Sequence, residues 1–263
     1  MTTKPVVFHF STAYTKQNFF QTLAAEHIDC QTLLGTDCYC SAEAEELLQQ
    51  QIQSFSPSGI HFLDSGNYHY VSKFWLCKIQ EPFSLVLFDN HTDMQAPGLF
   101  DLLSCGSWIR YAIQQQPLLR EVLLVGPPKA MFLQDLQALK TQWQGRLPKI
   151  HCLSKEDLKS GQTESFFEWM QASKLPVYVS IDKDILAESA ALTNWDQGNL
   201  SLEELLSWLC LLLSARTCIG ADICGEFGRE TDVLALPQAA ALNSHANQTL
   251  YELLCSHCNP AST

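Results

Sequence analysis

The chain has 263 residues, 46% of them apolar, enough to bury the core of one large α/β domain or two small ones. Its formal charge of −12 and pI near 5.0 repel phosphate backbones and anionic lipid, so nucleic acid is not an expected partner. No apolar run approaches the roughly 20 residues that span a bilayer, so no membrane segment is expected either.

In chain order, the opening "MTTKPVVFHFSTAYT" lacks a basic segment ahead of a long apolar stretch. It reads as a first strand, Val6–Phe10, rather than a signal peptide. A helical pattern, "SAEAEELLQQQIQSF", follows with Ser41 as N-cap; strands are then expected at Ile60–Leu63 and Leu85–Phe88. The segment "DLLSCGSWIRYAIQQ" reads as a helix, then Val122–Val125 as a strand, "KAMFLQDLQALKTQW" as a helix and Ile150–Leu153 as a strand. Val177–Ile181 is the next strand, and "SLEELLSWLCLLLSA" opens on Ser201 with Glu204 at capping-box spacing. Cys218–Ile223 and the helical "QAAALNSHANQTLYELL" complete the chain.

Linkers, repeats and low-complexity stretches are absent, so residues 1–263 read as one domain. Continuous apolar strands imply a sheet covered on both faces. Their alternation with helices predicts a three-layer α/β/α architecture with a mostly parallel central sheet. In such sheets, sites form beyond the carboxyl ends of the strands. The eleven cysteines, odd in number and scattered, read as reduced thiols in a cytoplasmic protein.

Three strand ends carry chemistry. "LVLFDNHTD" ends in Asp89, His91 and Asp93; "VYVSIDKD" ends in Asp182 and Asp184; "IHFLDSGNYH" runs into a glycine-containing loop with His69. In extended chain, alternate residues face one side, so each acidic set can converge on a point. Four carboxylates in one crevice repel one another unless cations share the site. The mixture of carboxylate oxygen and imidazole nitrogen suits Mn2+, with Zn2+, Co2+ or Fe2+ as competitors. A single Asp-x-His-x-Asp is more often an ordinary polar loop; two acidic sets in one sheet shift the balance to a metal centre. His61, inside a strand, reads as structural.

These residues resemble the arginase, agmatinase and formiminoglutamase group, the ureohydrolases. The family's Gly-Gly-Asp-His, Asp-Ala-His-x-Asp and Ser-x-Asp-x-Asp-x-x-Asp-Pro blocks are matched by "SGNYH", "DNHTD" and "SIDKD", in that order. The resemblance implies two Mn2+ ions per chain. One is held by His69, Asp89, Asp93 and Asp182, the other by Asp89, His91, Asp182 and Asp184. It further implies a hydrolase that cleaves a non-peptide C–N bond of a small guanidino or amidine metabolite. A hydroxide shared by the ions is the implied nucleophile, and Asp93 the implied proton carrier. Homo-oligomers are expected by analogy alone.

The departures concern the substrate end. Tyr68 stands before His69 where the family has an acid, Asn90 replaces Ala, and Ala187-Glu188 replaces Asp-Pro. "LLSCGSWIR", with Ser107 and Trp108, lacks the loop histidine of arginases. In "GADICGEFGRE", Gly225 occupies the position of the family's guanidinium-gripping Glu, and Glu226 comes one residue late. Glu226 is a substrate-carboxylate candidate if a bulge re-aims it; otherwise it is a loop residue beside Arg229. Trp195 and Asp196 are candidates for the substrate entrance or for ordinary loop packing.

"CSHCN", with Cys255, His257 and Cys258, shows half of a zinc site, and Cys38 and Cys40 complete it poorly. "VGPPKA" is no phosphate loop, and no G-x-S-x-G elbow exists. Two alternatives stand beside the ureohydrolase reading: a metal-dependent deacylase of an acylated amine, and a family member serving as a binding or regulatory protein.

Overall fold

In the computed structural model, residues 4–97, 101–143, 145–228 and 235–258 are described. Eight strands form one parallel sheet: β1 (Val6–His9), β2 (Glu26–Asp29), β4 (Ile60–Phe62), β5 (Phe83–Phe88), β7 (Leu119–Val125), β8 (Lys149–Leu153), β9 (Val177–Asp182) and β10 (Cys218–Cys224). Their order across the sheet is β2-β1-β4-β10-β9-β5-β7-β8. Two further short strands, β3 (Tyr39–Cys40) and β6 (Leu103–Ser104), make a separate antiparallel pair.

The helices are α1 (Asn18–Thr22), α2 (Ala42–Gln51), α3 (Val71–Cys77), α4 (Trp108–Gln115), α5 (Lys129–Gln142), α6 (Lys155–Ser160), α7 (Glu164–Ala172), α8 (Leu202–Ala215) and α9 (Leu236–His257). The period-2 alternation of each strand divides the core. Leu85, Leu87, Val122 and Leu124 pack with Trp75, Trp108, Ile109 and Leu139 on one face. Val86, Phe88, Val179 and Ile181 pack with Phe166, Leu205, Leu209, Leu250 and Leu254 on the other. This is the expected three-layer α/β/α arrangement. On α8, Leu202, Leu205, Leu209, Leu212 and Leu213 are buried, each contributing about 1.5–3 kcal/mol of apolar transfer. Its capping box forms as the sequence predicts, with Ser201 accepting from the Glu204 amide and Glu204 accepting in return.

Three expectations need correction. "DLLSCGSWIRYAIQQ" is helical only from Trp108; Leu103–Ser104 pairs instead with Tyr39–Cys40. The edge strand β2 has only one buried residue, Ile28, so its pattern carried no strand signal. The cysteines are not all thiols. The last turn of α9 carries Cys258 to the start of β10, where it is bonded to Cys218 across a Cα–Cα distance of 4.8 Å. Cys258 is therefore no zinc ligand. Among the described residues, no helix is long and apolar enough to cross a membrane.

Candidate metal centre

The carboxyl ends of β5 and β9 lie side by side, because Phe88 is paired with Ile181. Asp89 and Asp182 leave these neighbouring strands, and each begins the same local turn. Asp89 Oδ1 accepts the His91 amide at 2.6 Å, and Asp182 Oδ1 accepts the Asp184 amide at 2.9 Å. Such turns, in which an Asp side chain bonds the backbone two residues on, are a property of Asp itself. The acidic sets thus converge through bends rather than through extended chain, which corrects the geometry expected from sequence. Asp93 completes the bend at φ +50°, a left-handed conformation that Asp tolerates better than most residues.

The six predicted ligands come together. His69 Nδ1 is 3.3 Å from Asp89 Oδ2, 3.0 Å from Asp93 Oδ2 and 3.7 Å from Asp182 Oδ2. His91 Nδ1 is 2.8 Å from Asp184 Oδ2 and 3.4 Å from Asp89 Oδ1. Two ligand groups result, His69/Asp89/Asp93 and Asp89/His91/Asp184, the donor atoms of each lying within 4.8 Å of one another. Asp89 belongs to both, with one oxygen toward each histidine.

Neighbouring groups fix these donors. Ser180 Oγ lies 2.9 Å from His69 Nε2 and donates to Asp222 Oδ1 at 2.5 Å, so the second ring nitrogen is anchored. Trp108 Nε1 donates to Asp93 Oδ2 at 2.5 Å. The Asn90 amide donates to Asp184 Oδ1 at 2.9 Å, and its side chain reaches the Asp196 carbonyl at 3.0 Å. Asp196 Oδ1 is in turn 3.0 Å from His91 Nε2. His61, as expected, is structural: it stacks on Trp75 and meets the Tyr178 hydroxyl at 3.0 Å.

The electrostatics of the cluster call for cations. Burial, then the Asp184 charge, pushes Asp182 up to about 6. Burial, then Asp89, pushes Asp184 up to about 7, and burial with Asp93 raises Asp89. For His91, burial opposes the charged form, but Asp184 and Asp89 outweigh it and raise the ring well above its usual range. The protein alone therefore satisfies this crowd of acids only by holding protons. Hard divalent ions replace them with oxygen and imidazole ligation, so the donor set fits.

Cys224 was missed by sequence reasoning. Its Sγ lies 3.2 Å from Asp182 Oδ2, and it forms a third group with His69 and Asp182. The signal was present, since Asp222 and Cys224 alternate at the end of β10 as the other donors do. The cluster opens into a cavity of about 230 Å³, whose other walls include Tyr39, Gln95, Ser104, Trp195, Cys38 and Cys105.

Glu226 lies elsewhere. Its carboxylate is buried against the Lys183 ammonium and accepts from Gln17 at 2.6 Å, Asn247 at 2.7 Å and Asn243 at 3.1 Å. It borders a different cavity, with Ser11, Lys16 and Phe227. Gly225 has φ +90°, and a Cβ there would stand 2.4 Å from Asp182 Oδ1, so a side chain at that position meets the ligand itself. Arg229 lies outside the described residues.

Residues 27–225 match the arginase family. The chain belongs to the arginase family. An uncharacterized protein of Thermotoga maritima is 34% identical over 178 residues, 67% of this chain; the match spans 62% of that relative's length. Among solved structures, proclavaminate amidino hydrolase from Streptomyces clavuligerus superposes with a TM-score of 0.67 at 14% identity, covering 97% of this chain and 92% of that one. Trypanosoma cruzi formiminoglutamase, crystallised with Mn2+, gives 0.64 at 12% identity, covering 97% and 93%. These structural likenesses establish the arginase-like fold.

Proposed function

We propose that this protein is a two-manganese hydrolase that cleaves a non-peptide C–N bond in a small molecule. The observation that carries the reading is the pair of ligand groups sharing Asp89 at the floor of one cavity. His69, Asp89, Asp93 and Asp182 would hold one ion; Asp89, His91, Asp182 and Asp184 the other. Bound there, such ions supply Lewis acidity and a water-derived nucleophile near neutral pH. The chain's own residues do the rest. Ser180 keeps His69 Nδ1 turned toward the acids, and Trp108 holds one oxygen of Asp93. Asp93 is the group that would carry a proton to the departing nitrogen. Trp195 and Tyr39, both partly open to solvent, line the cavity that would receive the substrate.

The substrate is a guanidino or amidine compound on the family pattern. One observation favours a second class, the uncharged amide or acyl amine. Among the described cavity residues, every carboxylate is one of the proposed ligands, and the remaining walls are neutral. Four carboxylates balance two divalent cations, so the acid left beside the cavity to meet a guanidinium is Asp196, whose Oδ1 is already 3.0 Å from His91 Nε2. The test is a Mn2+-loaded activity screen over guanidino, formimino and acyl-amine compounds. Urea, formamide or ammonia as product supports the first class, and a free carboxylic acid the second. Purified protein should bind close to two metal ions, and Asp182→Ala should lose most of both metal and turnover. Wild type that stays metal-free in excess Mn2+ would refute the proposal. The partner is this small molecule, and self-association into a homo-oligomer is read by light scattering.

A further inference from the structure

We propose that Cys38 and Cys105 are a redox-reversible dithiol that closes over the metal cavity, with a low-molecular-weight disulfide as its oxidant. Both line the cavity. Both are partly exposed, whereas His69, Asp89, Asp93, Asp182 and Asp184 beneath them are buried. Their juxtaposition is set by backbone pairing. In the β3–β6 ladder Tyr39 faces Ser104 and Cys40 faces Leu103, so one further step sets Cys38 opposite Cys105. The Cys105 amide donates to the Cys38 carbonyl at 2.9 Å, although Cys38 itself turns out of the strand at φ +58°, with the Tyr39 amide donating back to the Asp37 carbonyl at 2.6 Å. Residues directly opposed in an antiparallel ladder have Cα atoms about 4.5–5.5 Å apart. Disulfides span about 4.4–6.8 Å, so a pair held next to the end of the ladder by one backbone hydrogen bond is within reach of the bond.

The neighbouring thiol is the largest influence on each: Cys105 holds Cys38 below its ordinary range, against the Asp37 carboxylate 3.9 Å from Cys38 Sγ, and Cys38 pushes Cys105 up. Cys38 is therefore the attacking group and Cys105 the resolving one. The Cys38 thiolate attacks one sulfur of the small disulfide, forming a mixed disulfide and expelling one thiolate. Cys105 then gives up its proton and attacks Cys38 Sγ, expelling the second. The protein pair loses two electrons and two protons, and the small disulfide becomes two thiols.

The consequence for the cavity follows from what Cys105 adjoins. Gly106 accepts the Gln95 amide at 2.9 Å, and Trp108 begins the helix that holds Asp93. A Cys38–Cys105 bond would lock this wall to the end of β3 at the cavity's edge. The test incubates Mn2+-loaded protein with oxidised glutathione and maps its peptides; exposed Cys210 reports unselective oxidation. A Cys38–Cys105 cross-link that dithiothreitol reverses is expected, with EDTA removing metal several-fold more slowly from oxidised wild type and not from oxidised Cys38→Ser. In Cys105→Ser, Cys38 should accumulate as the glutathione adduct. The proposal is overturned if wild-type Cys38 stays glutathionylated without cross-linking, if neither thiol reacts while Cys210 does, or if the cross-linked protein yields its metal as fast as the reduced form.

Discussion

Gly225→Ala tests how tightly the metal centre is built. An alanine Cβ would stand 2.4 Å from Asp182 Oδ1 and 2.7 Å from the Lys183 amide nitrogen. Real Cβ contacts essentially never fall below 3.0 Å, so Asp182 must retreat by at least 3.0 − 2.4 = 0.6 Å. It has little room, because a Cβ on Gly66 would already be 2.7 Å from its other oxygen. Metal sites tolerate ligand displacements of about 0.2 Å. We expect Mn2+ affinity to fall at least tenfold, about 1.4 kcal/mol. The left-handed backbone, φ +90°, costs about 1–2 kcal/mol more in fold stability. Gly161→Ala is the matched control: φ is +73°, with no atom within 4 Å of the new Cβ. Calorimetry of chelated protein should show both variants melting about 2–8 °C below wild type. Only Gly225→Ala should lose metal by titration. Equal metal affinity in the two variants would refute the reasoning.

Glu226→Ala removes the partner of buried Lys183 and should cost about 3–5 kcal/mol in denaturant unfolding. It should leave metal stoichiometry at the wild-type value; loss of metal would place Glu226 in the centre after all. Cys258→Ser opens a cross-link of sequence separation 40, worth about 4 kcal/mol in the chain-entropy account. Dithiothreitol should bring the melting temperature of wild type down to that of the variant and leave the variant unmoved. Burial holds His61 down at about 3, so the folded state binds fewer protons than the unfolded chain between that value and the usual 6.5. Its contribution is complete above pH 6.5 and is lost as pH falls toward 3, at about 1.4 kcal/mol per pH unit. His61→Asn should flatten that part of the stability–pH curve; an unchanged slope would count against it.

The sequence showed where strands end better than what those ends do. Asp89, His91, Asp93, Asp182 and Asp184 were legible because each set follows an unbroken apolar run, and the sheet rule then points to them. His69 was legible only through its place after Ile60–Phe62 and the resemblance of its loop. The local path was misread: alternate spacing suggested an extended chain, but Asp89 and Asp182 prefer to capture the amide two residues on. Glu226 was beyond reach from sequence, because its direction depends on Gln17, Asn243 and Asn247, which are distant in the chain. The same holds for Cys218 and Cys258, whose pairing depends on where α9 ends against β10.

Strand order explains why the centre forms where it does. From β5 the chain moves outward through β7 to β8, then returns to lay β9 on the opposite side of β5 and β10 beyond it. Connections therefore leave β5 and β9 in opposite directions, and a crevice opens between their carboxyl ends. Asp89 and Asp182 stand on its two lips, their strands joined at Phe88 and Ile181. Each lip carries a first Asp whose turn aims a second acid two or four residues on. Neither lip alone presents more than half of the ligands. The charge cost of bringing them together falls on folding itself unless cations are present, and anything that binds the native centre alone stabilises the fold by mass action. With metal bound as proposed, occupancy and stability would be one equilibrium at this crevice. Gly225 would bear on both, because its missing Cβ is the space in which Asp182 sits.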